Sequence, residues 1–218
     1  SKSDYIKTAL NGSIGNLGIM SYAYGLIMLD CGAYYGSMTR DEIINKILSM
    51  QFSDGGWGLM QNSDVDVTAM TIQALARYYK HSDVKTAIDK ALDYLSKRLL
   101  WDIKKEYSDV DCFDWGDLVD VLETIYSEKK QSFIIIIDEW DCIFRKYPDN
   151  VDEQKKYLDF LRFFIKGKSY VALAYMTGIL PIKKYGEHSA LNMFDEYSMT
   201  NQRELAEFTG FTETEVKE

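Results

Sequence analysis

Phe133-Ile134-Ile135-Ile136-Ile137-Asp138-Glu139 opens with five large apolar residues, four of them β-branched, and closes on two carboxylates. An unbroken run of this kind predicts a strand buried on both faces, as in a parallel sheet. Before it, Trp115, Leu118, Val119, Leu122 and Ile125 fall on one side of a predicted helix from Trp115 to about Tyr126. After it, Tyr157, Leu158, Leu161, Phe164 and Ile165 recur at helical spacing, which predicts a helix from about Val151 to Ile165. A second apolar run, Tyr170 to Met176, ends at Thr177-Gly178. Strand, helix and strand of these lengths make a βαβ unit, whose strands must run parallel.

A strand ending in Asp-Glu is the Walker-B pattern. Asp138 is the candidate for holding Mg²⁺ through its water shell, and Glu139 is the candidate for orienting or deprotonating a water that attacks a γ-phosphate. Acidic residues in this position also serve as helix caps. The phosphate-binding loop that completes such a site, G-x-x-x-x-G-K-[ST], occurs nowhere in the 218 residues. The glycine-rich stretches Gly12 to Gly18 and Gly55 to Gly58 lack the following Lys-Ser or Lys-Thr. Gly167-Lys168-Ser169 precedes a strand instead of opening a helix, and reads as a surface turn.

Several further segments agree in order and spacing with one family: Trp140-Asp141-Cys142-Ile143-Phe144-Arg145-Lys146-Tyr147, Tyr157-Leu158-Asp159-Phe160-Leu161-Arg162, Ser169 to Gly186, and His188-Ser189-Ala190-Leu191-Asn192. From about Leu100 to Glu218 the chain closely resembles the AAA-ATPase-like family of bacterial proteins. The resemblance implies P-loop NTPase architecture, Mg²⁺ and ATP as ligands, and a sensor position at Thr177 with Gly178 in contact with the cofactor. Lys183 and Lys184, near His188 and Ser189, read either as phosphate or partner contacts or as a solvated loop.

The preceding residues follow different rules. Leu17 to Leu29 predicts an apolar helix, and Gly32 and Gly36 punctuate its end. Thr39-Arg40-Asp41-Glu42 is a capping box opening a helix whose buried stripe is Ile43, Ile44, Ile47 and Leu48. Two more helices are predicted over about Val67 to Tyr79 and Val84 to Leu95, and no strand. Lys46 to Gln51, followed by Asp54-Gly55-Gly56-Trp57-Gly58, resembles the glutamine-tryptophan repeat of squalene-hopene cyclases and prenyltransferase-like α/α domains, over about residues 13 to 97. The glutamine amide of such a motif ties a helix end to nearby backbone while the tryptophan packs beneath the neighbouring helix pair.

Asp64-Val65-Asp66-Val67-Thr68-Ala69 is similar to the D-x-D-D-T-A segment of class II terpene cyclases, which implies Asp66 as an acid for protonating an alkene. Val67 stands where that segment has its third aspartate. The residues themselves predict a helix start, with Asp66 offering its oxygen to free backbone N–H groups. Tyr22, Tyr24, Tyr34 and Tyr35 read as packing residues or as the lining of a carbohydrate or isoprenoid groove.

Composition narrows the partners. Of the 218 residues 46% are hydrophobic and 27% charged, an ordinary globular balance. The formal charge of −9 falls in the second half, where residues 101 to 218 hold 15 basic and 24 acidic side chains against 10 and 10 in residues 1 to 100. That field repels a phosphate backbone, so direct nucleic-acid binding is not expected. Three cysteines without C-x-x-C spacing fit a reducing, cytoplasmic setting, and two histidines offer no zinc cluster. No run approaches the roughly 18 apolar residues of a membrane span.

The expectation is therefore a mixed fold: an all-α helical repeat over residues 1–98, joined to a partial α/β, P-loop-NTPase-like parallel sheet over residues 99–218. Its function is that of a truncated or chimeric AAA-type ATPase-like chain unable to hydrolyse ATP. A noncatalytic helical interaction module and a terpene-cyclase-like fragment are the alternatives. The start at Ser1-Lys2-Ser3, without an initiator methionine, fits a fragment of something longer.

Overall fold

A computed structural model describes residues 17–32, 37–146, 148–181 and 192–198. The protein is mostly helical with a small two-stranded parallel sheet, and it divides into two compact units, Ser1–Ser108 and Asp109–Glu218.

In the first unit, α1 (Ile19–Asp30), α2 (Arg40–Ser49), α3 (Val65–Leu75) with a 3₁₀ turn (Ala76–Tyr78), and α4 (Ser82–Glu106) enclose a core that includes Ile19, Leu26, Ile43, Ile47, Trp57, Leu75 and Val84. Helix α2 begins as its sequence dictates: the Thr39 hydroxyl accepts from the Glu42 N–H at 3.3 Å, and Glu42 accepts from the Thr39 N–H at 2.7 Å. Past its end the chain turns at Gly55, whose φ of +93° and approach to the Lys90 carbonyl leave no room for a Cβ. Trp57 is fully buried, and its indole N–H donates to the Ile47 carbonyl at 2.9 Å. Gln51 Nε2 donates to Gly55 O and Ala87 O, both at 2.8 Å, so one amide ties the turn to α4. Gln51→Ala is expected to destabilise this unit by about 1–2 kcal/mol, because two carbonyls lose their donor. Chemical denaturation that leaves the midpoint unchanged would contradict the tie.

Helix α4 is longer than its apolar stripe predicts. It passes Leu95 and runs to Glu106, carried by the Asp93–Lys97 and Arg98–Asp102 ion pairs at 2.6 and 3.2 Å. Residues 98 and 99, where the sequence changes character, lie inside it.

In the second unit, α5 (Leu118–Lys129) starts at Asp117, whose carboxylate accepts from the N–H groups of Val119 and Asp120. Its predicted start at Trp115 is corrected, since Asp114 and Gly116 form a turn before the cap. Then follow β1 (Phe133–Ile137), α6 (Cys142–Lys146), α7 (Val151–Ile165) and β2 (Val171–Met176). The two strands pair in parallel, with Ile134 opposite Leu173 and Ile137 opposite Met176. Val119, Leu122, Trp140, Phe144, Leu161, Phe164, Ile165 and Tyr170 form the core.

One expectation about this sheet fails. Strand β1 alternates between half-buried and exposed residues, and Ile134 and Ile136 are 63% and 70% exposed, with Leu173 and Tyr175 also exposed on β2. Among the described residues helices pack against one face, and the other carries these exposed side chains, so β1 is not buried on both faces.

Candidate site at the carboxyl edge of the sheet

Parallel pairing brings the ends of β1 and β2 side by side, and the chain crosses between them through short hydrogen bonds. The Thr177 N–H donates to the Ile137 carbonyl at 3.0 Å, and the Trp140 N–H donates to the Thr177 carbonyl at 2.9 Å. The Thr177 hydroxyl donates to Asp138 Oδ1 and accepts from the Glu139 N–H at 3.1 Å. Asp138, Glu139 and Thr177 thus share one edge. Glu139 holds φ of 52°, in the left-handed region that few non-glycine residues occupy.

The residues after Glu139 lock this arrangement. Trp140 is buried against Phe144, with ring centroids 5.4 Å apart. Asp141 is fully buried, and its Oδ2 accepts from the N–H groups of Ile179 at 3.2 Å and Leu180 at 3.0 Å and from Arg145 Nε at 3.0 Å. Burial pushes the Asp141 carboxyl up. The Leu180 N–H, the Arg145 guanidinium and the Ile179 N–H outweigh it and hold the group below the ordinary carboxylate range. Arg145 extends its other arm to Glu139 Oε2 at 3.1 Å.

Comparison with protein families, with curated proteins and with solved structures finds no match to this chain. Its chemistry must be read from the edge itself.

Gly178 lies at this edge, and its missing side chain has a local cause. A Cβ there would stand 2.6 Å from Trp140 Nε1 and 2.8 Å from Asp141 Oδ1. Asp138 and the Thr177 hydroxyl present oxygen atoms, the ligand type that hard cations take. The described residues hold no group of three or more His, Cys, Asp or Glu able to form an all-protein metal cage. A shallow depression of about 440 Å³, lined by Phe113, Asp114 and Asp120 among others, shares no residue with this edge.

In the first unit the aspartates part company. Asp64, not Asp66, caps α3, accepting from the Val67 N–H at 2.9 Å, so the cap expected of Asp66 is corrected. Asp66 lies exposed in the first turn. The buried Thr68 hydroxyl accepts from the Trp57 N–H at 2.9 Å and donates to the Trp57 carbonyl at 3.0 Å, serving the tryptophan staple. Tyr22 packs against the core and Tyr24 is exposed. Tyr34, Tyr35, Lys183, Lys184, His188 and Ser189 lie outside the described residues.

Sequence reasoning gave no role to Asp141 or Arg145. Their i, i+4 spacing was the available signal. Cys31, Cys112 and Cys142 form no disulfide with one another, and no helix among the described residues is long and apolar enough to cross a membrane.

Proposed function

We propose that the edge formed by Asp138, Glu139 and Thr177 is the acidic half of an AAA-ATPase-like nucleotide site that takes Mg²⁺ through Asp138, and that this chain does not turn ATP over. The observation that carries the reading is the Thr177 hydroxyl joining Asp138 and the Glu139 backbone across two parallel strands. Ligands of open α/β sheets bind at this edge.

Asp138 would hold the ion, and Mg²⁺ when bound would neutralise phosphate charge. Thr177 fixes the Asp138 carboxylate, and Gly178 allows Trp140 and Asp141 to close beneath it. Glu139, the candidate for orienting a water, is paired with Arg145. Phosphoryl transfer depends almost wholly on positioning and charge neutralisation, and no Walker-A amides or lysine occur in these 218 residues. A nucleotide ligand goes with a cytoplasmic location.

ATP hydrolysis by the purified chain is therefore expected to be undetectable above buffer in a coupled phosphate-release assay. Steady turnover that Glu139→Gln abolishes would overturn this reading, because a phosphate cradle would then have to exist.

For residues 1–108, the exposure of Asp66 supports a noncatalytic α/α-repeat interaction module over a cyclase fragment. An acid that protonates an alkene needs a dry cavity around it, and Asp66 faces solvent.

A further inference from the structure

Two exposed apolar surfaces of this chain suit each other. One is the sheet face that carries Ile134 and Ile136 on β1 and Leu173 and Tyr175 on β2. Purely parallel sheets occur almost only with helices over both faces, so this face calls for a helix. The other surface lies on α4. Val84, Ala87, Ile88 and Ala91 fix the first part of α4 in the core of residues 1–108. Past Ala91 its apolar stripe runs on through Leu92, Leu95, Leu99 and Ile103, and Leu92 and Leu99 are 49% and 47% exposed. Residues three or four apart share one side of a helix, so this tail has an apolar face without a core of its own.

We propose that the chain pairs with a second copy of itself by reciprocal exchange, the α4 tail of each copy lying on the exposed sheet face of the other. Length and charge favour this pairing. From Leu92 to Ile103 the helix rises about 17 Å, and the five residues of β1 extend about as far. The tail carries Lys97, Arg98, Lys104 and Lys105 against Asp93, Asp102 and Glu106, whereas residues 109–218 hold 13 basic and 22 acidic side chains. Sheet face on sheet face would bring two acidic units together, and helix on sheet brings opposite signs together. Both surfaces are exposed on one chain, and a second copy supplies the complement of each. A one-way contact would leave one surface of each kind uncovered and propagate as an open chain, whereas exchange in both directions closes on a two-fold axis. The pairing does not depend on the nucleotide reading of the strand ends.

The test is sedimentation velocity of the full chain over a range of concentrations, for wild type, Leu99→Glu, Ile136→Glu and an equimolar mixture of the two variants. Wild type is expected to show a reversible equilibrium between monomer and dimer. Each variant alone is expected to dimerise about a hundredfold more weakly, since each contact would then press a carboxylate against apolar side chains. The mixture should regain part of the dimer, because the α4 tail of the Ile136→Glu chain and the sheet face of the Leu99→Glu chain are both intact. A wild type that stays monomeric, or that grows into larger species, overturns the proposal. So does a Leu99→Glu dimer of wild-type strength, which would be sheet on sheet, and so does an Ile136→Glu dimer of that strength, which would be helix on helix. A mixture that associates no more strongly than its parts also overturns it. Circular dichroism and thermal melting check that each variant folds, and where a charged variant does not, Leu99→Gln or Ile136→Thr replaces it with the same expected outcomes.

Discussion

Trp57→Ala is expected to lower the stability of residues 1–108 by about 3–5 kcal/mol, the largest effect of any single change in that unit. The indole is fully buried in the core of this unit, so its loss leaves a cavity that the neighbouring side chains cannot fill without moving. It also removes the donor to the Ile47 carbonyl at the end of α2. The backbone of residue 57 stays held by Thr68 in either variant, so Trp57→Phe should recover most of the packing and none of the indole hydrogen bond. Thermal melting unchanged by Trp57→Ala would sink the staple.

Asp141→Ala should be the most damaging substitution in the second unit, at about 2–3 kcal/mol, because the N–H groups of Ile179 and Leu180 lose their acceptor. Asp141→Asn separates charge from shape. The folded-state pKa of Asp141 lies below its ordinary value of 3.8, so the unfolded chain takes up the proton at higher pH than the folded one. Its ionised form therefore stabilises the fold above about pH 3.8, and that stability is lost as pH falls through the folded pKa. Wild type should lose stability steeply below pH 3.8, while Asp141→Asn should start less stable at neutral pH and show a shallower acid limb. Parallel acid profiles for the two proteins would contradict the assigned ionisation.

The fold was most legible where a local chemical signal and the apolar period agreed. Thr39 and Glu42 announce α2, and the five-residue run before Asp138 announces β1. Where several signals compete, the sequence alone does not rank them. Asp64 and Asp66 both suit a cap, and only the extended backbone at residue 64, with φ of −125°, decides for Asp64. In helix α4 Ser96, Lys97 and Arg98 interrupt the apolar pattern, whereas its ion pairs and helix-forming residues continue past them without a core.

The exposure of Ile134 and Ile136 could not be read from the sequence at all. Four consecutive isoleucines look alike whether covered on one side or two, and only the placement of the helices distinguishes Ile135 from Ile136. At the site, the strand-end carboxylates and Thr177 were visible as chemistry at the ends of two strands. Asp141 and Arg145 were not, because their roles depend on a loop that returns from β2 to lay two N–H groups on a buried oxygen.

The most direct measurement of the cation site is a Mg²⁺ titration of the ¹⁵N-labelled chain, followed at every assigned amide, beside the same titration of Asp138→Asn. Saturable shifts concentrated at Asp138, Glu139, Thr177 and Gly178, and lost in Asp138→Asn, are the predicted result. Shifts that are absent, that spread evenly over the acidic surface, or that persist in Asp138→Asn would contradict it.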